Sequence, residues 1–267
     1  GKTWFEVPAS MKVIVKGELK TPCTAKDLTL AVLRELGASG ALGQAVEFYG
    51  PAVEALDLAG RITLASMMTE MGGIVGLIPP SEEVLAYCRE QTGRSEFQAI
   101  AADPGAQYTA EIEVDITGLE PLVACPPKPD NVKPVRDVAG TRIDSVFIGS
   151  CTNGRLEDMR AVAEVVKGKR VAPGMVASVV PATRQVYAQM LQDGTLQTLF
   201  DAGFIISNPG CGGCASGHIG MVGEGQVQVS TSNRNFAGKQ GPGDNYLASP
   251  TVAAWAALAG ELTVPEG

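Results

Sequence analysis

Apolar residues along the chain follow two alternating patterns, one typical of buried strands and the other of amphipathic helices. In the first part of the chain, strands are predicted at 11–16, 44–49, 74–78, 96–101 and 110–117, and helices at 28–36, 60–71 and 82–92. Because strands and helices alternate, we expect an α/β fold.

Local signals mark the ends of two of these helices. Thr24 and Asp27 form a capping-box pattern before the first helix, with Asp in place of the usual Glu. Gly37 follows the last periodic residue and is suited to end that helix. Ser81 is a suitable N-cap for the helix at 82–92. The helical assignments therefore rest on capping chemistry as well as on periodicity.

The pattern changes between residues 119 and 141, where a proline-rich stretch is typical of an extended connection. Beyond it, strands are predicted at 144–149, 175–180, 203–207 and 226–231, and helices at 184–192 and 251–259. A further helix is predicted from the apolar face formed by Leu156, Met159, Val162, Ala163 and Val166. We predict two domains, residues 1–118 and 142–267, joined by residues 119–141.

Composition and charge narrow the classes of function. The 267 residues carry a net charge of −8, and no stretch concentrates Lys and Arg as a nucleic-acid interface requires. No apolar run is long enough for a membrane span, and the first residues lack the pattern of a signal peptide. We therefore expect a cytoplasmic protein without a nucleic-acid or membrane partner.

Three of the six cysteines lie in a pattern that indicates chemistry. Cys151 falls where a predicted strand meets a predicted helix, and Cys211 and Cys214 form a glycine-rich C-x-x-C after another strand. Thiolates bind iron and zinc well, and three of them suit an iron–sulfur cubane that keeps one iron open as a Lewis acid. A redox pair, a Cys3His zinc site with the single histidine, His218, and unliganded cysteines remain alternatives.

The residues around these cysteines carry a family resemblance. The segments 148–153 (IGSCTN) and 209–214 (PGCGGC) resemble the two cluster-ligand signatures of the aconitase family, and 230–239 (STSNRNFAGK) resembles its substrate-binding segment. The segments 181–187 and 247–250 are most similar to the isopropylmalate dehydratase and homoaconitase branch. The resemblance extends over essentially the whole chain and implies aconitase-type α/β domains with mixed sheets flanked by helices.

The resemblance implies a [4Fe-4S] cofactor and a role for each motif residue. Cys151, Cys211 and Cys214 are expected to ligate three irons, while the fourth iron takes the hydroxyl and one carboxylate of the substrate. Asn233 is expected beside the cluster, and Arg234 is expected to hold a substrate carboxylate through its guanidinium fork. The alternative for Arg234 is a structural salt bridge.

Three further positions depend on the same resemblance. Glu70 matches an acidic residue of the active site, with a carboxylate on a helix surface as the alternative. Ser66 stands where the family usually has a cluster-contacting Asn, and Lys239 stands where it usually has a substrate-binding Arg. Lys239 still neutralises a carboxylate, but as a point charge without the fork.

The resemblance also implies partners. Residues 1–8 resemble the sequence just after an N-terminal domain of the family's large subunit, and the family's catalytic serine comes from a small-subunit or swivelling domain. We therefore expect a hydro-lyase component that dehydrates and rehydrates a hydroxy-polycarboxylate together with those partners. Isopropylmalate is favoured as its substrate class, with homoaconitase, dimethylmalate dehydratase and aconitase activities as alternatives. An RNA-binding iron sensor and a cluster-free interaction fragment are the alternatives from other classes.

Overall fold

A computed structural model describes residue 4 and residues 6–265 of the chain. Part of the segment that resembles the start of the second family domain, residues 1–3 and 5, lies outside the described residues. The strands are β1 (Ser10–Lys16), β2 (Ala45–Tyr49), β3 (Val75–Leu77), β4 (Glu111–Asp115), β5 (Leu122–Ala124), β6 (Val132–Pro134), β7 (Ser145–Gly149), β8 (Val176–Val180), β9 (Ile205–Ile206), β10 (Val227–Ser230) and β11 (Asp244–Ala248). The α-helices are α1 (Ala25–Leu36), α2 (Pro51–Glu54), α3 (Leu58–Ser66), α4 (Glu82–Thr92), α5 (Ser150–Asn153), α6 (Leu156–Val166), α7 (Arg184–Gln192), α8 (Thr195–Asp201) and α9 (Pro250–Ala259).

The first sheet has the order β3-β2-β1-β4, and each of its pairings is parallel. Alternate residues of β1, among them Val13 and Val15, point into a core that α1 covers. The predicted cap of α1 is present, since Thr24 donates its backbone N–H to the Asp27 carboxylate. Gly37 ends the helix at φ 69°. The first sheet and its helices therefore form an α/β layer structure, as predicted.

The second sheet has the order β6-β5-β11-β10-β7-β8-β9. Its five strands from β11 to β9 are parallel, whereas β5 and β6 are antiparallel, which makes this sheet the mixed one. α6 and α9 pack against each other on this sheet. All five apolar residues of the predicted face of α6 are buried in its core. The α/β class with helices flanking the sheets is confirmed.

Three sequence predictions are wrong in detail. Residues 96–101 do not form a strand, although β4 was predicted correctly nearby, because this segment is largely exposed and no neighbouring strand pairs with it. The stretch 119–141 is more than an extended connection, since β5 and β6 within it pair with each other and β5 pairs with β11. The predicted helix at 60–71 is α3 followed by a 3-10 turn, Met67–Met71. The domain boundaries themselves stay a prediction.

The two sheets are joined through α1 and β5. Leu122 and Ala124 of β5, with Leu247 of β11, belong to the apolar core beneath the first sheet. The carboxylate of Asp27 in the first turn of α1 accepts the backbone N–H of Leu122 at 2.9 Å. The beginning of α1 is therefore fixed against the second sheet.

The topology of the second sheet creates a crevice at the carboxyl edge of its parallel strands. From β7 the chain passes to β8 and β9 on one side, and then returns to β10 on the other side of β7. Ligands bind at such switch points because the loops diverge there and leave an opening. Among the residues that the structure describes, no helix is both long and apolar enough to cross a membrane.

Candidate functional site

The turn after β7 brings the first motif cysteine to this edge. We call residues 149–153 the Cys151 turn. Gly149 has φ 154°, and Ser150 has φ 81°, the only positive φ at a residue other than glycine in the described part of the chain. This left-handed residue starts α5 directly at the strand end, and the Cys151 side chain is exposed. Backbone strain of this kind concentrates at functional sites.

The loop after β9 brings the second and third cysteines to the same edge. We call residues 208–214 the cysteine loop. A Cβ atom added to Gly212 would lie 2.5 Å from Cε2 of Phe147, which belongs to β7. A Cβ atom on Gly213 would collide with the carbonyl of Gly220 and lie 2.6 Å from the Gln240 amide nitrogen. The glycines of the motif therefore allow this loop to lie close against β7 and its neighbours.

Gly213→Ala is expected to lower the free energy of unfolding by about 1–3 kcal/mol, because the added methyl group meets backbone that cannot move freely. Gly210→Ala in the same loop is the matched control, since a Cβ atom there has no neighbour within 4 Å. We expect the control to change stability by about 0.5 kcal/mol or less. Urea unfolding of the two variants checks this, and equal stability losses would contradict the close packing of Gly213.

The three motif thiols interact electrostatically. Burial, a hydrogen bond with the Cys214 thiol and the negative charges of Cys214 and Cys151 raise the pKa of the Cys211 thiol to about 11. The Cys151 backbone acts in the opposite direction through a hydrogen bond to Cys211. The three thiols therefore affect one another, and their role as cluster ligands stays a prediction.

The other cysteines lie apart from this edge. The Cys23 thiol donates to the Leu119 carbonyl at 3.3 Å, and burial raises its pKa to about 12. Cys125 is buried in the core of the second sheet, and Cys88 lies on α4. All six cysteines are unpaired thiols. His218 has an exposed side chain, and its backbone N–H donates to the Ala215 carbonyl.

Glu70 and Arg234 form an ion pair across the crevice. Nε of Arg234 donates to Oε1 of Glu70 at 2.5 Å. The Glu70 side chain is 8% exposed, so the surface-carboxylate alternative is wrong, and the Arg234 side chain is 40% exposed. The hydrogen bond that Arg234 donates to the Glu70 carboxylate raises the pKa of Arg234. In residues 4 and 6–265 only Nε of this guanidinium is hydrogen-bonded, which leaves both Nη groups for a ligand.

The remaining predicted residues lie on the loop after β10 or on α3. We call residues 230–239 the clamp loop. Asn233 has a buried Oδ1 without a hydrogen-bond partner. Lys239 donates from Nζ to the Cys214 carbonyl at 2.9 Å, so it ties the clamp loop to the cysteine loop. Ser66 is half-buried at the end of α3, and no side-chain hydrogen bond joins it to the cysteines. The roles of Asn233, Lys239 and Ser66 stay predictions.

A buried polar network holds the far end of the clamp loop. The side-chain oxygen of Gln240 accepts hydrogen bonds from Ser230 at 3.0 Å, from Ser232 and from Asn245. Its amide group donates to the Gly220 carbonyl at 3.4 Å. Buried hydrogen bonds that converge on one side chain restrict the movement of the loop, although Oδ1 of Asn245 has no partner. The clamp loop is therefore fixed at both of its ends.

Sequence reasoning missed Lys26, which lies behind this loop. Its side chain is fully buried, and burial lowers its pKa to about 7, partly offset by the negative charges of Asp158 and Glu70. A Lys-Asp pair in the first turn of a helix normally faces solvent, which is why the pattern gave no signal. The one sign of its burial in the sequence is that Lys26 lies close to the apolar residues of α1.

The donor set is of the type that an iron–sulfur cluster uses. Within the described ranges, no three His, Cys, Asp or Glu side chains are already arranged around one metal ion. The three motif thiols affect one another electrostatically, and thiolates are the ligands that hold such clusters. The residues present therefore fit the cofactor that the motifs imply.

Comparison with known proteins shows which family the chain belongs to. A family model described as "Aconitase family (aconitate hydratase)" matches residues 1–142 and 133–260. The chain belongs to the aconitase family. Members of this family in general carry a [4Fe-4S] cluster, so the motif resemblance seen in the sequence is confirmed at the level of the family.

Individual relatives fall in two named groups of aconitase-family proteins. The 3-isopropylmalate dehydratase large subunit of Sulfurihydrogenibium sp. is 46% identical over 268 residues, covering 100% of this chain and 62% of the relative. The homoaconitase large subunit of Thermus thermophilus is 48% identical over 269 residues, covering 100% of this chain and 63% of the relative. A probable methanogen homoaconitase large subunit of Methanosarcina mazei is 46% identical, covering 99% of this chain and 67% of the relative.

The chain thus spans between 62% and 67% of the length of these three relatives. Among solved structures, Thermococcus kodakaraensis aconitase X matches with a TM-score of 0.46 and 15% identity, covering 85% of this chain and 49% of that one.

Proposed function

We propose that this chain is the cluster-bearing part of a hydro-lyase large subunit, which dehydrates and rehydrates a hydroxy di- or tricarboxylic acid. The observation that carries the proposal is the convergence of three thiols and the Glu70–Arg234 pair at one crevice. Relatives named as large subunits of 3-isopropylmalate dehydratase and homoaconitase support it. We further propose that Cys151, Cys211 and Cys214 hold a [4Fe-4S] cluster.

Each residue of the crevice has a definite task in this scheme. When bound, the cluster supplies a Lewis acid that polarises the hydroxyl group of the substrate. Arg234 binds a substrate carboxylate through its free Nη groups, while its Nε stays on Glu70 and fixes the plane of the guanidinium. We assign Asn233 a place beside the cluster from the motif resemblance, and Lys239 joins the cysteine loop to the clamp loop through the Cys214 carbonyl.

The carboxylate of Glu70 is suited to exchange a proton with the departing hydroxyl group. It is nearly buried, and its oxygen is shared between Arg234 and the hydroxyl of Thr69, which donates at 3.2 Å. A general acid must lie within hydrogen-bond reach of the leaving group, and we assign this role to Glu70 because its partner Arg234 is open to a ligand. The base that removes the carbon-bound proton is assigned to a partner.

Substrate and partners follow from the named relatives. We propose 3-isopropylmalate as the preferred substrate, within leucine biosynthesis in the cytoplasm, in line with relatives named 3-isopropylmalate dehydratase large subunit. Residues 181–187 and 247–250 resemble the branch that contains both this enzyme and homoaconitase. Homocitrate-type acids come second, since a homoaconitase large subunit is 48% identical to this chain. The proposed partners are an N-terminal large-subunit domain, which would account for the relatives' additional length, and a separate small subunit, which the relatives' names as large subunits imply.

The experiment for this proposal measures turnover of isopropylmalate, homocitrate-type and citrate-type acids after anaerobic cluster reconstitution. We expect no turnover by the chain alone, because elimination needs a base and none of the described crevice residues is free for that task. Lys26 is buried behind the clamp loop and donates to two carbonyls, so it is not open to a substrate. Adding an N-terminal domain and a small subunit from a relative is expected to restore activity, with isopropylmalate preferred.

Two outcomes would contradict the proposal. Substantial turnover by the chain alone would require a base within it, and no turnover of any of these acids by the full assembly would reject the hydro-lyase assignment. RNA binding by the cluster-free chain, measured across salt concentrations, would favour the iron-sensor alternative. The net charge of −8 and the absence of a Lys- and Arg-rich stretch speak against that alternative.

A further inference from the structure

The side chain of Lys26 reaches from α1 into the clamp loop of the other sheet. Its Nζ donates to the Ser232 carbonyl at 2.8 Å and to the Thr231 carbonyl at 3.3 Å. Asn233 and Arg234 follow directly in the sequence. The ammonium group therefore holds the two peptide units from which the carboxylate-binding residue projects.

Thr231 connects the same contact to the Cys151 turn. Its hydroxyl oxygen accepts the Gly149 N–H at 2.9 Å, and its hydroxyl donates to the Gly149 carbonyl at 3.1 Å. Its own backbone N–H donates to the Phe147 carbonyl at 3.0 Å. Gly149 lies two residues before Cys151, so one threonine joins the clamp loop to the first thiol.

The other end of Lys26 is fixed as well. The capping box of Thr24 and Asp27 fixes the first turn of α1, and Asp27 also accepts the Leu122 N–H from β5. The first turn of α1 therefore cannot shift without breaking contacts to both sheets.

Burying this ammonium group costs desolvation free energy, so its burial needs a structural reason. In the described part of the chain no carboxylate lies within ion-pair distance of Lys26, so two carbonyls are its direct partners. An apolar side chain would avoid the desolvation cost, but would leave those carbonyls unpaired. The arrangement makes sense if the exact position of the clamp loop matters more than the cost of burial.

We propose that Lys26 is a positioning residue, which holds the clamp loop and, through Thr231, the Cys151 turn in one fixed relation. In the proposed function, on which this inference rests, that relation sets the distance between the carboxylate-binding guanidinium and the cluster. The hydrogen bonds of the Lys26 ammonium group go to the Thr231 and Ser232 carbonyls. It acts through the backbone of the loop and is not a catalytic residue.

Hydrogen exchange of individual amides in the purified chain tests this inference. In Lys26→Met we expect the amides of Thr231, Ser232 and Gly149 to exchange about ten-fold faster or more, because their local opening becomes easier. Amides inside α1, such as that of Leu33, are expected to keep their protection. Lys20→Met, at an exposed lysine paired only with Glu18, is the matched control and should change none of these rates.

Lys26→Arg is expected to restore protection to within about three-fold of the original, since it retains the donors. A cavity of about 130 Å³ beside Lys26, lined by Gly60, Asn153 and Asp158, provides room for the larger head group. If Lys26→Met fails to fold, Lys26→Gln is measured instead. Its side chain is shorter than that of lysine and cannot reach both carbonyls, so faster exchange of the same three amides is expected.

Thr231→Val tests the second link separately. It removes the hydroxyl while keeping the shape, so the Gly149 amide is expected to exchange faster and the Ser232 amide to stay protected. Unchanged rates at all three amides in Lys26→Met, or equally faster exchange along the whole chain, would overturn the positioning role. The measurement needs neither cluster nor substrate. If the expected exchange pattern appears but the assembled enzyme shows no turnover, the proposed function fails while the control of the loop by Lys26 stands.

Discussion

Replacing Cys151, Cys211 or Cys214 by serine, one at a time, is expected to abolish the brown chromophore that forms on anaerobic reconstitution with iron and sulfide. Serine keeps the size of the side chain, but its hydroxyl is a poor ligand for this soft metal centre at neutral pH. A cubane held by three protein ligands has no spare thiolate to compensate for the loss. The measurement is the visible absorption of the charge-transfer bands, together with bound iron per chain.

The other three cysteines provide matched controls in the same chain. Cys23 and Cys125 are buried away from the crevice, and Cys88 lies on α4. Their serine variants are expected to retain the chromophore, although Cys23→Ser also disturbs a hydrogen bond to Leu119 and calls for a parallel stability measurement. If one of these variants lost the chromophore while remaining folded, the assignment of the ligands would be wrong.

Arg234→Lys is expected to lower kcat/KM of the assembled enzyme by about 10- to 150-fold. The guanidinium of Arg234 presents a planar fork to a carboxylate while its Nε stays on Glu70. A lysine ammonium group lacks that fork. A hydrogen bond to a charged group contributes about 1.5–3 kcal/mol, and each 1.36 kcal/mol corresponds to a factor of ten in rate. Steady-state kinetics on the preferred hydroxy acid check the size of the effect.

A second arginine with a carboxylate partner serves as the control for this substitution. Arg136 pairs with Glu120 at 2.9 Å, and its side chain is 65% exposed. Arg136→Lys is expected to leave kcat/KM unchanged, because exposed ion pairs contribute little. If Arg234→Lys also had the kinetic constants of the unmodified enzyme, Arg234 would be a structural residue and the clamp would need another cation.

Much of the fold was accessible from the sequence because its helices bury apolar stripes. The face of α6 was predicted residue by residue, and α7 begins and ends where the prediction placed it. β11 was missed because Asn245 and Tyr246 interrupt its apolar pattern. β5 was hidden since a three-residue strand beside a proline-rich segment has too few positions to show periodicity.

Some features of the site could be predicted from the sequence, and others could not. Cys151, Cys211, Cys214 and Arg234 lie in motifs that resemble those of the family, so their roles were predicted without coordinates. Two facts were out of reach: the pairing of Glu70 with Arg234, which are 164 residues apart, and the position of Lys239 on the Cys214 carbonyl. Long-range pairing is set by how the sheets pack, and no local pattern encodes it.

Lys26 shows the same limit most clearly. Its neighbours in the sequence predict a solvated first turn of a helix, and its burial comes from the clamp loop, which lies about two hundred residues further along the chain. The burial of a charge at such a place is decided by tertiary structure, and it becomes informative only once the partner carbonyls are known.

The most direct test of the central claim is the content of iron and acid-labile sulfide in the reconstituted chain, combined with Mössbauer spectra of the iron-57 form. We predict about four irons and four sulfides per chain, and a loss of both in each of the Cys151, Cys211 and Cys214 variants. One iron should be distinguishable from the other three, because it has no thiolate from the protein. A chain that bound a single metal ion without sulfide, or a cluster with four equivalent irons that required a fourth cysteine, would contradict the account.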